Sequence, residues 1–344
     1  MRPLTLQRLL LQCSVLALIL FAVVLVAVKM GAVPVSLYGL GRDLISVFLG
    51  QTSHLSSDYG MIVNEIRFPR ILLAIVVGAS LSVAGTSFQA LLRNPLADPY
   101  VLGVSMGAAL GAILALIFES HLALPVWLAV LFTPLGAFLG AAGTIAAVYF
   151  LGRREGQIDS ATLLLAGIIS SSFLSAVIIF LLTSGREFRG MAFWLMGDLS
   201  SSLQSSLRWV LSIGFLLATG AIYTTAADLN LLLAGEKEAM HLGVDVRRVR
   251  LVVYIAASIL TGLAVSVSGA IGYVGLLVPH VMRLLFGSDH RTLIPTAAFG
   301  GAIAVVIADT LARTVVAPSE LPVGAMTALF GAPLFIYLLR RRMA

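Results

Sequence analysis

The sequence predicts an all-α, polytopic membrane protein, with about ten transmembrane helices in one tight bundle spanning residues 1–344. Hydrophobic residues make up 59% of the chain and charged residues only 11%, less than half the charged share of a typical soluble domain. The mean hydropathy is +1.03. The charged residues also separate apolar runs that are long enough to cross about 30 Å of hydrocarbon as helices.

The first apolar run, 9–28, carries no charge and follows Arg2 and Arg8. A cleaved signal peptide has a shorter apolar core and a small-residue cleavage site, so we expect an uncleaved first span. A polar connection at 31–70 follows it. Five more charge-free runs then precede the most highly charged stretch of the chain: 71–92, 100–118, 125–151, 161–183 and 209–227.

Beyond that stretch, the charge-free run from Leu251 to Met282 is 32 residues long, which is too long for one upright helix. A cluster of helix-breaking residues predicts an interruption within it. We therefore expect a full span at 251–272 and a shorter one at about 274–286. Spans at 292–312 and 321–339 bring the total to ten. The helix-breaking residues are Gly269, Gly272, Gly275 and Pro279.

The distribution of Lys and Arg predicts the orientation. If the N-terminus is cytoplasmic, 14 of the 22 basic residues lie on the cytoplasmic side and 8 outside. Cytoplasmic loops carry an excess of Lys and Arg, so this bias predicts a protein of the cytoplasmic (inner) membrane with both termini in the cytoplasm. The net charge of +6 then reflects these loops and does not indicate nucleic-acid binding.

Missing motifs restrict the chemistry. The single cysteine, Cys13, excludes a disulfide framework or a cysteine-based metal site, and no GxxxxGK[ST] phosphate loop occurs. Ion-coupled carriers usually place carboxylates or histidines inside the membrane, whereas here Asp309 and Glu320 are the nearest cases. A transporter driven by a separate subunit fits this pattern. An ion-coupled carrier or channel of similar size is the alternative.

The highly charged stretch, Asp228–Arg250, must lie in water. Acidic residues follow Gly235, and His241 precedes Gly243, so a short helix over 236–242 is predicted with charges that suit its dipole. A helix this short is marginal alone and needs a surface to pack against, for which Ala239, Met240 and Leu242 offer apolar contacts. It is either a solvated loop helix or a docking element for a soluble partner.

Glycines spaced four apart predict close helix packing, because small residues let helix backbones approach within a membrane. Gly103, Gly107 and Gly111 share one helix face, and Gly136 and Gly140 repeat the spacing. We expect them to pack helices within one chain rather than between two copies.

Six segments, in order along nearly the whole chain, resemble the membrane subunits of type II ABC importers, the FecCD-like family that imports ferric siderophores, haem and cobalamin. The resemblance implies the type II permease fold and no enzyme activity or bound cofactor on this chain. It also implies a homodimer, two cytosolic ABC ATPase subunits that bind ATP and Mg²⁺, and an extracytoplasmic substrate-binding protein. The segments are IRFPR (66–70), LLRNPLADPYVLGVSMGAALG (91–111), FWLMGDLS (193–200), LNLLLAGEKEAMHLGVDVRRVR (229–250), SGAIGYVGLLVPHVMRLLFGSDHRTLIP (268–295), and ADTLART with ELPVGAMTALFGAPLFIYLLRR (308–341).

The resemblance also assigns residues to roles, starting with ATPase coupling in the cytoplasmic loop 228–250. The coupling residues are Leu233, Gly235, Glu236, Ala239, Met240, Leu242 and Gly243. Asp159, Ser160 and Ala161 align with the family's cytoplasmic gate. The residue-level alternative for Asp159 or Ser160 is an N-cap of the fifth span.

The family uses arginines on its outer face to dock the binding protein, and Arg67, Arg70 and Arg313 match them. Each has an alternative role. Arg67 and Arg70 could anchor a helix end at the membrane interface. Arg313 could pair with Asp309 one turn earlier.

Overall fold

The computed structural model describes residues 5–31, 62–122, 124–154, 157–158, 160–184, 195–200 and 205–343. These residues form twelve α-helices, one π-helical turn at Ile62–Arg67, one 3-10 turn at Pro99–Leu102, and an antiparallel pair of two-residue strands, β1 (Arg153–Arg154) and β2 (Gln157–Ile158). The helices are α1 (Leu6–Lys29), α2 (Phe68–Leu91), α3 (Val104–His121), α4 (Val126–Leu151), α5 (Ser160–Ser184), α6 (Ser205–Thr224), α7 (Ala226–Ala234), α8 (Glu236–His241), α9 (Val246–Ser268), α10 (Val274–Phe286), α11 (His290–Thr314) and α12 (Val323–Met343).

Ten apolar helices of the described chain correspond to the ten predicted spans. Six are long and apolar enough to cross a membrane alone, and a seventh span is obtained when α6 and α7, which meet at a bend of 48°, are taken together. The shorter apolar helices α3, α10 and α12 complete the set. Most of the predicted connection at 31–70 lies outside the described residues.

The predicted break between the seventh and eighth spans is confirmed. Helix α9 ends at Ser268 and α10 begins at Val274, with Gly269 (φ +63°) and Tyr273 (φ +67°) in the left-handed region. Non-helical backbone at membrane depth needs hydrogen-bond partners inside the protein. Ile271 N–H accordingly donates to the Tyr100 hydroxyl at 2.9 Å, and the Ser268 carbonyl accepts from Asp198 N–H.

Helix α2 is the centre of the bundle and packs against α9, α10 and α11. Its backbone lies directly against its neighbours at two glycines: a Cβ at Gly78 would meet the Gly301 carbonyl of α11, and one at Gly85 would meet the Gly275 carbonyl of α10. Helix backbones approach this closely only where small residues form both surfaces.

The prediction that the glycines spaced four apart pack helices within one chain is also confirmed. Gly107 of α3 lies against Gly140 of α4, and Gly111 lies against Gly136. These glycines therefore join neighbouring helices of the same chain.

The bundle has two ends, and α11 connects them. Its 25 residues extend about 37 Å at 1.5 Å per residue. Its first residues adjoin what we call the α8 end (residues 226–245 and 287–290), and its last residues belong to the arginine end (residues 67–70 and 309–320). The predicted orientation places the α8 end in the cytoplasm.

Candidate functional site

The short helix predicted within the charged stretch is present as α8, whose ends are set by two glycines with positive φ. Gly235 (φ +146°) separates α8 from α7. Gly243 (φ +87°) ends the helix, and Val244 N–H donates to the Ala239 carbonyl at 3.0 Å, which is the hydrogen bond of a Schellman C-cap. Acidic residues occupy the first turn and a histidine the last, as the helix dipole favours.

Helix α7 is fastened to the turn before α11 by Asn230. The Asn230 amide donates to an Asp289 carboxylate oxygen at 2.7 Å and accepts from His290 N–H at 2.9 Å. Hydrogen bonds from Arg291, together with that from Asn230, lower the pKa of Asp289 to about 2. Asp289 is therefore ionised at neutral pH and caps α11 by accepting from Arg291 N–H at 3.0 Å.

Helix α8 is fastened to α9 by a salt bridge of 2.8 Å between Glu236 and Arg250. Ala239 packs inward and is fully buried. Ala239 therefore helps to seat α8 on its own chain, and its role in ATPase coupling stays a prediction. Because a helix of six residues is too short to be stable alone, this seat accounts for an ordered α8.

Three apolar side chains at the α8 end are exposed. Leu233, Met240 and Leu242 are 48%, 51% and 66% exposed, with charged Lys237 and Glu238 also exposed beside them. We call these three apolar side chains the docking face. Exposed apolar side chains rimmed by polar residues mark interaction surfaces.

At the arginine end, two of the predicted docking arginines belong to a buried ionic cluster around Asp309. Arg70 Nε lies 2.8 Å from Asp309 Oδ1, and Arg313 Nε lies 3.0 Å from Asp309 Oδ2. Arg70 Nη1 also contacts Glu320 Oε2 at 2.8 Å. The alternative role considered for Arg313, pairing with Asp309, is confirmed.

The third predicted docking arginine, Arg67, is also buried at this end, and its Nη1 donates to the Val28 carbonyl of α1 at 2.6 Å. Among the described residues, Arg313 Nη2 makes no hydrogen bond. Arg67 and Arg70 both bond to groups within the bundle, and the interfacial anchoring alternative stays a prediction.

The gate residues are only partly described. Ser160 begins α5, and Ala161 is exposed. Asp159 lies outside the described residues, so the N-cap alternative stays a prediction.

A cluster of three or more residues able to hold a metal is absent from the described ranges. The sequence pointed to Asp309, Glu320 and Arg70 separately, but it did not indicate that Arg70 pairs with both carboxylates. They lie 239 and 250 residues from it along the chain, a separation at which no local pattern signals contact.

Known proteins match this chain along almost its whole length. The family model described as the FecCD transport family matches residues 17–341. The cobalamin import system permease protein BtuC of Halobacterium salinarum is 44% identical over 283 residues, covering 82% of this chain and 74% of that protein. The hemin transport system permease protein HmuU of Yersinia pestis is 44% identical over 281 residues, covering 81% and 83%.

A solved structure has the same fold. It is described as an inward-facing conformation of a metal-chelate type ABC transporter. The TM-score is 0.81 at 30% sequence identity, with 96% of this chain and 98% of that chain covered.

Proposed function

The chain belongs to the FecCD transport family, and we propose that it is the membrane-spanning permease subunit of a binding-protein-dependent ABC importer. Its cargo would be an iron complex, either a ferric siderophore or haem, or cobalamin, since similar permeases are named for cobalamin and hemin. ATP and Mg²⁺ would bind to a separate ATPase. The docking face at the α8 end is the observation that carries this proposal.

The docking face suits a cytosolic ATPase for mechanical reasons. Asn230 ties α7 to Asp289 and His290 at the start of α11, and the Glu236–Arg250 salt bridge ties α8 to the start of α9. A force applied to Met240 or Leu242 would therefore be passed to two transmembrane helices rather than absorbed by a loose loop. Gly235 and Gly243 give the element its sharp ends.

The arginine end suits a substrate-binding protein that presents carboxylates. Arg313 Nη2, which makes no hydrogen bond among the described residues, leaves binding capacity for an acidic partner. Glu320 is 44% exposed, so it is the one carboxylate of the cluster that a partner could displace. We propose that Arg67, Arg70 and Arg313 contribute in this way, with Asp309 holding Arg70 and Arg313 in position.

The remaining parts of the proposal follow the family. Two copies of the chain would enclose the pathway, and the start of α5, with Asp159, Ser160 and Ala161, would form the cytoplasmic gate. Small side chains suit a gate because two copies can meet and separate there without unpacking bulky groups.

Co-purification of the ATPase tests the proposal. Leu242→Glu should reduce recovery of the cognate ATPase by at least about tenfold, since a charge would be buried where an apolar contact is needed. Val316→Glu, at an exposed apolar position of the arginine end, is the matched control and should leave recovery unchanged. Wild-type recovery with Leu242→Glu would place the ATPase contact elsewhere.

A further inference from the structure

An apolar groove of about 290 Å³ runs along the outside of the bundle between α4 and α9. Its floor includes Ala142 and Ser258, and aromatic rings line its sides: Phe138, Tyr149, Phe150 and Tyr254. Along α9 it extends from Leu251 to Gly262, about 16 Å at helical rise. That is roughly half of a 30 Å hydrocarbon core, so the groove has the length of one lipid leaflet.

The groove is shaped by fixed side chains. The Tyr254 hydroxyl donates to the Ile145 carbonyl of α4 at 2.9 Å, and the Tyr149 ring contacts the rings of both Phe150 and Tyr254. Phe150, by contrast, is 70% exposed and forms an open rim. The two helices are thus joined at the floor of the groove and separated at its edge.

Two arginines continue the groove-lining face of α9 beyond the apolar residues. The lining residues recur at helical spacing, so the next positions on this face are Arg247 and Arg248, four and three residues before Leu251. Both arginines are exposed. In addition, β1 places the backbone of Arg153 and Arg154 directly after α4, at the same end of the groove.

We propose that this groove binds an anionic phospholipid, with one acyl chain between α4 and α9 and the headgroup phosphate held by Arg247 and Arg248. The occupant follows from two features together: a leaflet-length apolar groove, and positive charge only at its end. Basic sites between transmembrane helices on the cytoplasmic side bind anionic headgroups. The predicted orientation puts this end of the groove in the cytoplasmic leaflet.

Native mass spectrometry of the full-length protein tests the site, with phosphatidylglycerol and phosphatidylcholine titrated separately into protein in mild detergent. Wild type should bind phosphatidylglycerol at least tenfold more tightly than phosphatidylcholine. Arg247→Ser with Arg248→Ser should weaken phosphatidylglycerol binding roughly 30-fold, the loss expected for two arginines near the surface, while phosphatidylcholine binding stays unchanged. The control pair Arg8→Ser with Arg340→Ser removes two exposed arginines away from the groove and should retain the preference.

Filling the groove separates acyl-chain binding from binding to the arginines alone. Ala146→Phe projects a ring into the groove from an exposed position and should weaken binding of both lipids. Gly262→Leu is a second filling variant, whose Cβ would lie 3.5 Å from Ala141 Cβ and Phe138 Cδ2, an ordinary contact. The proposal is overturned if the double serine variant keeps the preference for phosphatidylglycerol. It is equally overturned if both filling variants bind lipid as wild type, or if the groove proves to be covered by a second copy of the chain.

Discussion

Replacing Asp309 with asparagine should destabilise the bundle by about 3 to 5 kcal/mol, the usual cost of removing one partner of a buried ion pair. Asparagine keeps the shape of the side chain but removes its charge. Asp309 is 1% exposed and is shared by Arg70 and Arg313, which are 8% and 6% exposed. Without it, Arg70 still has Glu320, whereas Arg313 loses the one carboxylate that it contacts among the described residues.

A double-mutant cycle shows whether that stranded charge is the cause. Arg313→Gln alone should cost about 1 to 3 kcal/mol, because Asp309 keeps its contact with Arg70. Combined with Asp309→Asn, it removes the uncompensated cation, so the double variant should be at least about 1 kcal/mol more stable than the sum of the single losses predicts. Glu320→Gln is the control, and it should cost less than about 1 kcal/mol because Glu320 is 44% exposed.

Equilibrium unfolding in mixed micelles containing a denaturing detergent, followed by far-ultraviolet circular dichroism, measures these differences. The reasoning is refuted if Asp309→Asn lies within 1 kcal/mol of wild type. Strict additivity of the two substitutions would refute it as well, since it would mean that Asp309 and Arg313 do not interact.

Three further predictions address other parts of the molecule. In a Cys13→Ser background, a cysteine at exposed Glu238 should react with a membrane-impermeant thiol reagent only from the cytoplasmic side and one at exposed Ser319 only from outside; reversed labelling would invert the topology. Gly85→Ala should be strongly destabilising because its Cβ meets the Gly275 carbonyl, whereas Gly220→Ala, with open space around its Cβ, should be neutral or stabilising; equal thermal stability of the two variants would contradict the packing of α2. At low ionic strength, the affinity for the substrate-binding protein should be lower than that of wild type in the double variant Arg67→Gln with Arg313→Gln. It should be higher than that of wild type in Glu320→Gln, which frees Arg70 from its salt bridge. Unchanged affinity in both variants would remove the docking role.

Much of the fold could be predicted from the sequence, because membrane spans depend on local composition. Each apolar run becomes a helix whose ends are fixed by the charges around it. Even the break between α9 and α10 was signalled, because Gly269 and its neighbouring glycines fall within an apolar run that is too long for one upright helix. Helix α8 could also be predicted from local sequence, because two glycines mark its ends and its charges follow the order that the helix dipole favours.

The parts that could not be predicted depend on contacts between distant segments. Arg70 meets Asp309 and Glu320 only because α2 and α11 pack side by side, so the sequence suggested an arginine available to a partner where the structure has a buried cluster. The direction of Ala239 depends on how α8 is seated against its own chain. The groove between α4 and α9 likewise has no sequence signal beyond ordinary apolar residues.

Transport by the reconstituted complex tests the central claim most directly. The chain would be placed in proteoliposomes with its cognate ATPase and substrate-binding protein, and uptake of cobalamin, haem and a ferric siderophore would be measured. An ABC importer permease predicts uptake of one of these only when the ATPase, ATP and the binding protein are all present, and loss of that uptake with Leu242→Glu. Uptake that persists without the ATPase and follows an ion gradient would contradict the account and identify an ion-coupled carrier instead.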